Sequence, residues 1–255
     1  GYYTMKLRGK VAIVTGGSRG MGACIATRFG AEGASVAVVS KNNLDNAQLV
    51  VEQIRAAGGI AQSFCADVSD TASCISLASD VNSEFNTIDI LVNNAGIYMP
   101  LPIEDTTELD WDEQLNTNLK GCFFMIKSVL PILKNKKMGK IINIASSFGL
   151  VGAANASAYC ASKGGLINLT RALCLELAPH NININSLAPG GAKTDMNLEQ
   201  RQIPGFKNKI DNMTPSGSYF MDPDGLSGAA VFLASADSDS VHGASIAVDG
   251  GWTAG

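Results

Sequence analysis

The chain has 255 residues, 46% hydrophobic and 16% charged, which is enough apolar content for one large core and too much for disorder. Its net charge of −4, with no basic block and no apolar run near the roughly 18 residues that cross a bilayer, argues against nucleic-acid and membrane partners. Two histidines, and six cysteines without a CxxC pair, offer no zinc framework and read as reduced core thiols of a cytoplasmic protein.

Short apolar, β-branched runs recur along the chain, separated by stretches of helical periodicity. In order they are KVAIVTG (10–16), ASVAVVS (34–40), GIAQSFCAD (59–67), IDILVNN (88–94), GKIINIAS (139–146), ININSLAPG (182–190) and GASIAVDGG (243–251). Such runs suit parallel strands buried on both faces and joined by helical crossovers. The expected fold is α/β, a doubly wound parallel sheet of about seven strands with helices on both faces. No linker interrupts the alternation, so residues 1–255 are expected to form a single dinucleotide-binding and catalytic domain.

Two segments break the rhythm. From Asp105 to Leu133 the helical pattern is long, with Pro131 close to its end. From Gly190 to Pro223 the chain reads as loop or broken helix, punctuated by Pro204, Gly205, Pro215 and Gly217. A connection this long in a compact domain is usually functional. Its place after the sixth strand favours a substrate lid over approximately 190–223.

TGGSRGMG (15–22) follows the first strand and opens the first helix. Glycines there let backbone approach a pyrophosphate, and the helix N-terminus offers free N–H groups. Further on, YCASK (159–163) puts Tyr159 and Lys163 four apart, on one helix face. Both groups ordinarily keep their protons at neutral pH. A lysine ammonium beside a phenol stabilises the phenolate, so the pair suits proton exchange with a carbonyl oxygen.

The spacing of Gly16, Gly20 and Gly22 is not G-x-G-x-x-G; it resembles the TGxxxGxG turn of the short-chain dehydrogenase/reductase family. That resemblance continues through NNAG (93–96), NTNLKG around Asn118, Ser146 ahead of YxxxK, PGGAKT (189–194) and the closing DGG (249–251). It implies a Rossmann-type fold and a catalytic set of Asn118, Ser146, Tyr159 and Lys163. Ser146 would hydrogen-bond the substrate oxygen, and Asn118 would anchor a relay water. Cofactor contacts are implied for Gly16, Ser18, Arg19, Gly20, Met21 and Gly22, and for Asp67 and Val68, with Asp67 meeting the adenine. They are implied also for Asn94, Ala95 and Gly96, for Tyr159 and Lys163 at the ribose, and for Pro189, Gly190, Ala192 and Thr194 near the nicotinamide. Ala192 stands where the family more often has a branched residue, which thins the wall there.

The end of the second strand chooses between NAD and its 2′-phosphate. Here it reads Ser40, Lys41, Asn42, with no carboxylate, and Arg19 lies in the glycine turn. Two cations favour a dianion over a neutral hydroxyl. NADP(H) is therefore expected, with NAD(H) as the alternative.

The expected pocket is built on Tyr98, Phe148 and Met196, with Met99, Pro100, Leu101, Leu150 and Val151 beside them and Leu198, Ile203, Phe206 and Met213 from the lid. Mostly apolar, it suits a small-molecule ketone or secondary alcohol better than a sugar. The resemblance also implies a homotetramer, in which Trp252 is available for burial. Rival readings are a 3-oxoacyl-carrier-protein reductase gripping its carrier through Lys137 and His180, an NAD-dependent sugar or polyol dehydrogenase, and a non-catalytic redox sensor.

Overall fold

The computed structural model describes residues 4–194 and 197–255. Seven strands form one sheet: β1 (Val11–Val14), β2 (Ser35–Ser40), β3 (Ile60–Cys65), β4 (Ile90–Asn93), β5 (Gly139–Ile144), β6 (Ile182–Pro189) and β7 (Ser245–Val248). Their order is β3-β2-β1-β4-β5-β6-β7, and every neighbouring pair is parallel. The direction of winding reverses between β1 and β4, which leaves a crevice beyond their carboxyl ends.

The residue pattern explains both layers. Ala12 and Val14 of β1, with Val36 and Val38 of β2, face one core; Val11, Ile13, Ala37 and Val39 face the other. The first core is closed by α1 (Gly20–Ala31), α2 (Leu44–Ala56) and α9 (Ser227–Ala234), through residues such as Phe29, Ile54 and Leu233. The second is closed by α3 (Thr71–Phe85), α5 (Gly121–Lys136) and α6 (Ser157–Leu177), through Leu77, Met125 and Leu173. Each fully buried side chain of this size contributes about 1.5–3 kcal/mol relative to exposure. Burial on both faces holds for the inner strands. The edge strands β3 and β7 depart from it: Ile60 is 61% exposed, and β7 is only half covered.

The long helical pattern is also modified. It begins with a 3-10 turn at Ile103–Asp105 and then α4 (Glu108–Leu115), capped by the reciprocal Thr107–Asp110 box, and continues through α5 with Pro131 inside it. Between the two helices, Asn116–Lys120 widens into one π-turn, with the Gly121 amide donating to the Asn116 carbonyl. Beyond β6 come two short helices, α7 (Leu198–Gln202) and α8 (Phe206–Asn212). They are tied back where Met221 N donates to Gly191 O at 2.8 Å and Lys193 N to Met221 O at 2.9 Å. All six cysteines are free; Cys74 and Cys122 are buried, whereas Cys65 is exposed rather than in the core. Among the described residues, no helix is long and apolar enough to cross a membrane.

Candidate active site

The crevice is held together where the ends of β1 and β4 meet. The Thr15 hydroxyl accepts from the amides of Asn94 and Ala95, each at 3.0 Å. Asn94 Nδ2 in turn donates to the carbonyls of Thr15 at 3.1 Å and Gly16 at 3.0 Å. The first asparagines of NNAG therefore divide the work: Asn94 fixes the glycine turn, while Asn93 donates to Asn143 Oδ1 on β5 at 2.9 Å. Thr15, the first residue of the glycine turn, pins the ends of β1 and β4 together, a role the motif alone did not assign to it.

The turn fits a dinucleotide. A Cβ on Gly22 would lie 2.1 Å from Gly16 O, and Gly20 adopts a φ of +55°, so both positions require glycine. Helix α1 has Arg19 at its N-cap, with no side-chain cap and no acidic residue in its first turn, leaving its amides and dipole available to an anion. Ser18, exposed Arg19 and Met21 line the same cleft as Ser40, Lys41, Asn42, Asp67, Val68, Asn94, Ala95 and Gly96. The far end of the cleft carries an ion pair, Lys41 Nζ to Asp67 Oδ2 at 2.9 Å. Burial raises the Asp67 pKa, but hydrogen bonds from Ser69 and Lys41 outweigh it and hold the carboxyl below its ordinary range.

The proposed catalytic residues come from three elements. Ser146 lies just past the end of β5, where its Oγ accepts from Phe148 N at 3.1 Å and shares a hydrogen bond with the Tyr159 side chain. Tyr159 and Lys163 stand on successive turns of α6, with Lys163 Nζ 5.8 Å from the Tyr159 ring centre. Lys163 Nζ donates to Ile144 O at 2.8 Å, and burial lowers its pKa. Asn118, from the π-turn, clasps Ile97: its Oδ1 accepts from Ile97 N at 2.8 Å and its Nδ2 donates to Ile97 O at 2.9 Å. Nδ2 also reaches Ser162 Oγ at 3.2 Å. The Asn118 side chain is thus engaged with protein partners rather than turned to solvent.

One expectation is corrected. In the protein alone, the Tyr159 pKa is not brought below its ordinary value, despite the nearby lysine. Burial pushes this phenol well above the ordinary tyrosine range, ahead of the opposing hydrogen bond with Ser146. Two neighbouring phenols, Tyr219 and Tyr98, raise it further. An apolar, aromatic setting outweighs an ammonium whose own donors face a carbonyl.

The cavity in front of Tyr159 is lined by Tyr98 and Phe148, named above for the pocket, and by Pro189, Gly190, Ala192 and Thr194, named above for the nicotinamide. From the lid it takes Phe206 and Ile210, and also Tyr219 and Phe220, which the sequence reading missed. Leu150, Val151, Leu198, Ile203 and Met213 are instead exposed, at 38–60%. Met99, Pro100 and Leu101 also lie away from the lining, and Met196 falls outside the described residues. Trp252, expected to be free for an interface, packs within the chain, 5.6 Å from Phe148 and 5.2 Å from Tyr219 between ring centres. No periodicity marks Tyr219 or Trp252; only the folded path of the lid and tail brings them here.

Known proteins resemble this chain along nearly its whole length. The family model for short chain dehydrogenases matches residues 10–204. A 2-dehydro-3-deoxy-D-gluconate 5-dehydrogenase of Dickeya dadantii (strain 3937) is 38% identical over 252 residues, 98% of each chain. A cyclopentanol dehydrogenase of Comamonas sp. (strain NCIMB 9872) is 36% identical over 249 residues, 98% of this chain and 99% of its own. The crystal structure of a Burkholderia cenocepacia J2315 gluconate 5-dehydrogenase in complex with NADP and tartrate superposes with a TM-score of 0.94. It is 33% identical, over 99% of this chain and 98% of that one.

Proposed function

Since the chain belongs to the short-chain dehydrogenase family, we propose that it interconverts a ketone and a secondary alcohol with NADP(H), Tyr159 exchanging the proton. The observation that carries this is the convergence of Ser146, Tyr159 and Lys163 on one cavity that adjoins the glycine-turn cleft. When bound, the dinucleotide supplies the hydride for reduction and receives it in oxidation. The Tyr159 hydroxyl gives its proton to the carbonyl oxygen in reduction, and in oxidation its phenolate takes the proton from the alcohol. Ser146 donates to the same oxygen as charge grows on it. Lys163 places a buried positive charge beside the phenol, favouring the phenolate whenever it forms. Asn118 holds Ile97, and with it the floor of the cavity, against α6.

The preference for the 2′-phosphate rests on Arg19, Ser40 and Lys41 around the ribose end of the cleft. The one carboxylate among the described residues lining it, that of Asp67, is balanced by Lys41. Residues 190–223 act as the lid, and a homotetramer is the working assembly.

The test is NADPH absorbance across a panel of ketones. Tyr159→Phe should lower kcat by at least about 1000-fold while changing the NADPH Kd less than about threefold. A fully active Tyr159→Phe variant overturns the reading. NADPH should also bind at least about tenfold more tightly than NADH, a difference of about 1.4 kcal/mol, and equal affinities overturn the cofactor assignment.

A further inference from the structure

Seven aromatic rings form a continuous chain around the cavity. Tyr98 and Tyr159 stand 4.8 Å apart between ring centres, and each lies 6.4 Å from Phe148. From Phe148 the contact passes to Trp252 at 5.6 Å and on to Tyr219 at 5.2 Å. Phe220 follows at 5.2 Å and Phe206 at 6.5 Å. The wall is pressed against the main chain: a Cβ on Gly191 would lie 2.5 Å from the Phe220 ring and 2.7 Å from the Tyr219 ring. Tyr219 is held in place at both ends, its amide donating to Asp211 Oδ1 at 2.9 Å and its hydroxyl 3.4 Å from Ser147 Oγ.

Charge is scarce on this surface. Among the described residues that line the cavity, Lys163 is the one charged side chain, and it is already placed beside Tyr159. Of the lid's four cations, Lys209 is exposed and lies outside the cavity lining, and the other three have partners of their own. Arg201 donates to Thr194 O at 3.2 Å and Asn197 Oδ1 at 2.9 Å, Lys193 pairs with Asp222, and Lys207 pairs with Asp211. The Asn197 amide is satisfied too, since its Nδ2 donates to Ala192 O at 2.6 Å. A carboxylate entering here meets, among the described lining residues, no cation other than Lys163, whose ammonium donates to Ile144 O and stands beside Tyr159. Buried charges and polar groups without partners are strongly disfavoured.

We propose that Tyr219, supported from behind by Trp252, is a specificity-determining residue that restricts the substrate to an uncharged cyclic or aryl ketone, or its alcohol, and rejects carboxylate-bearing polyols. This deepens the carbonyl-reduction reading and rests on it. A flat or alicyclic ring fills the space between Tyr98, Phe148 and Tyr219 by stacking and apolar contact, while its carbonyl oxygen reaches the hydroxyls of Ser146 and Tyr159.

The experiment compares acetophenone, cyclohexanone and 5-keto-D-gluconate as substrates with NADPH, in the wild type, Tyr219→Ala and Tyr219→Phe. Wild-type kcat/KM should favour acetophenone over the keto acid by at least about 100-fold. Tyr219→Ala should lose about 10–100-fold in kcat/KM for acetophenone, mostly in KM, and Tyr219→Phe, which restores the ring, should recover most of that loss. Binding is read separately, by saturation-transfer NMR on the enzyme–NADP+ complex: acetophenone should show transfer that Tyr219→Ala abolishes, and D-gluconate none.

A preference for the keto acid, or a Tyr219→Ala variant with unchanged KM and undiminished transfer, overturns the proposal. If the keto acid is preferred and its turnover disappears in Tyr159→Phe, this inference fails while the carbonyl-reduction reading stands. Silence with every carbonyl, without transfer from acetophenone, overturns both.

Discussion

Lys163 is an ammonium buried to 4% exposure, and among the described residues no carboxylate pairs with it. Such a group is costly to fold around, and its lowered pKa reflects that cost. Between that lowered value and the ordinary lysine value of about 10.4, the unfolded chain binds a proton that the folded chain lacks. Stability should therefore rise with pH through that window. Lys163→Met should remove the rise and, in calorimetry without dinucleotide, increase the melting temperature at neutral pH by about 2–4 °C. Turnover should be lost in the same variant. A lower melting temperature would show that the lysine is structurally favourable after all.

Tyr159 makes the complementary prediction. Its raised pKa keeps the phenol protonated across neutral pH. Reduction uses the protonated form, so its kcat/KM should stay flat between about pH 6 and 8. Oxidation uses the phenolate, so its kcat/KM should climb about tenfold per unit over that range. Parallel profiles in the two directions would exclude the phenol as the group that titrates. The YCASK pair itself was legible in the sequence, because i and i+4 share a helix face by geometry alone. The sign of the tyrosine shift was not. It depends on Tyr98, Phe148 and Tyr219, which lie at least eleven residues away and meet only after folding.

At the scale of elements, the strands were legible because burial on both faces leaves nearly continuous apolar runs, as in VAIV of β1 and SVAVVS of β2. The π-turn at Asn116–Lys120 was not, because what holds it open is the clasp of Asn118 on Ile97, a contact across 21 residues. Asn118→Ala would leave the Ile97 amide and carbonyl without that partner, a penalty of about 1–3 kcal/mol for each group left dry. The end of α5 offers a gain instead. Lys137 caps it with φ 51° and ψ 42°, a left-handed conformation in which a side chain is strained. Lys137→Gly should relieve that strain and stabilise the fold by about 1 kcal/mol in urea titration, with kcat unchanged. Its main-chain carbonyl, which accepts from Asn181 Nδ2 at 3.1 Å, is retained in the variant. A destabilised variant would mean that the lysine side chain makes contacts worth more than the strain.

At the scale of the molecule, the helices between β4 and β5 leave apolar side chains uncovered: Leu109 at 66% exposure, Trp111 at 44% and Phe123 at 39%. Strand β7 ends the sheet with its outer edge unpaired among the described residues. Large apolar side chains and an open edge are liabilities in a monomer and ordinary features of a chain that meets copies of itself. Closed symmetry would place each such surface against its own copy about a two-fold axis, and two independent two-folds build a tetramer. Light scattering behind size-exclusion chromatography should therefore give four times the monomer mass. Trp111→Glu combined with Phe123→Glu puts two charges on the helical surface and leaves the β7 edge untouched. That variant should fall to twice the monomer mass, with an unchanged far-ultraviolet circular dichroism spectrum showing that the fold survives. A wild-type monomer would overturn the assembly, and a tetrameric double variant would move the contact away from these helices.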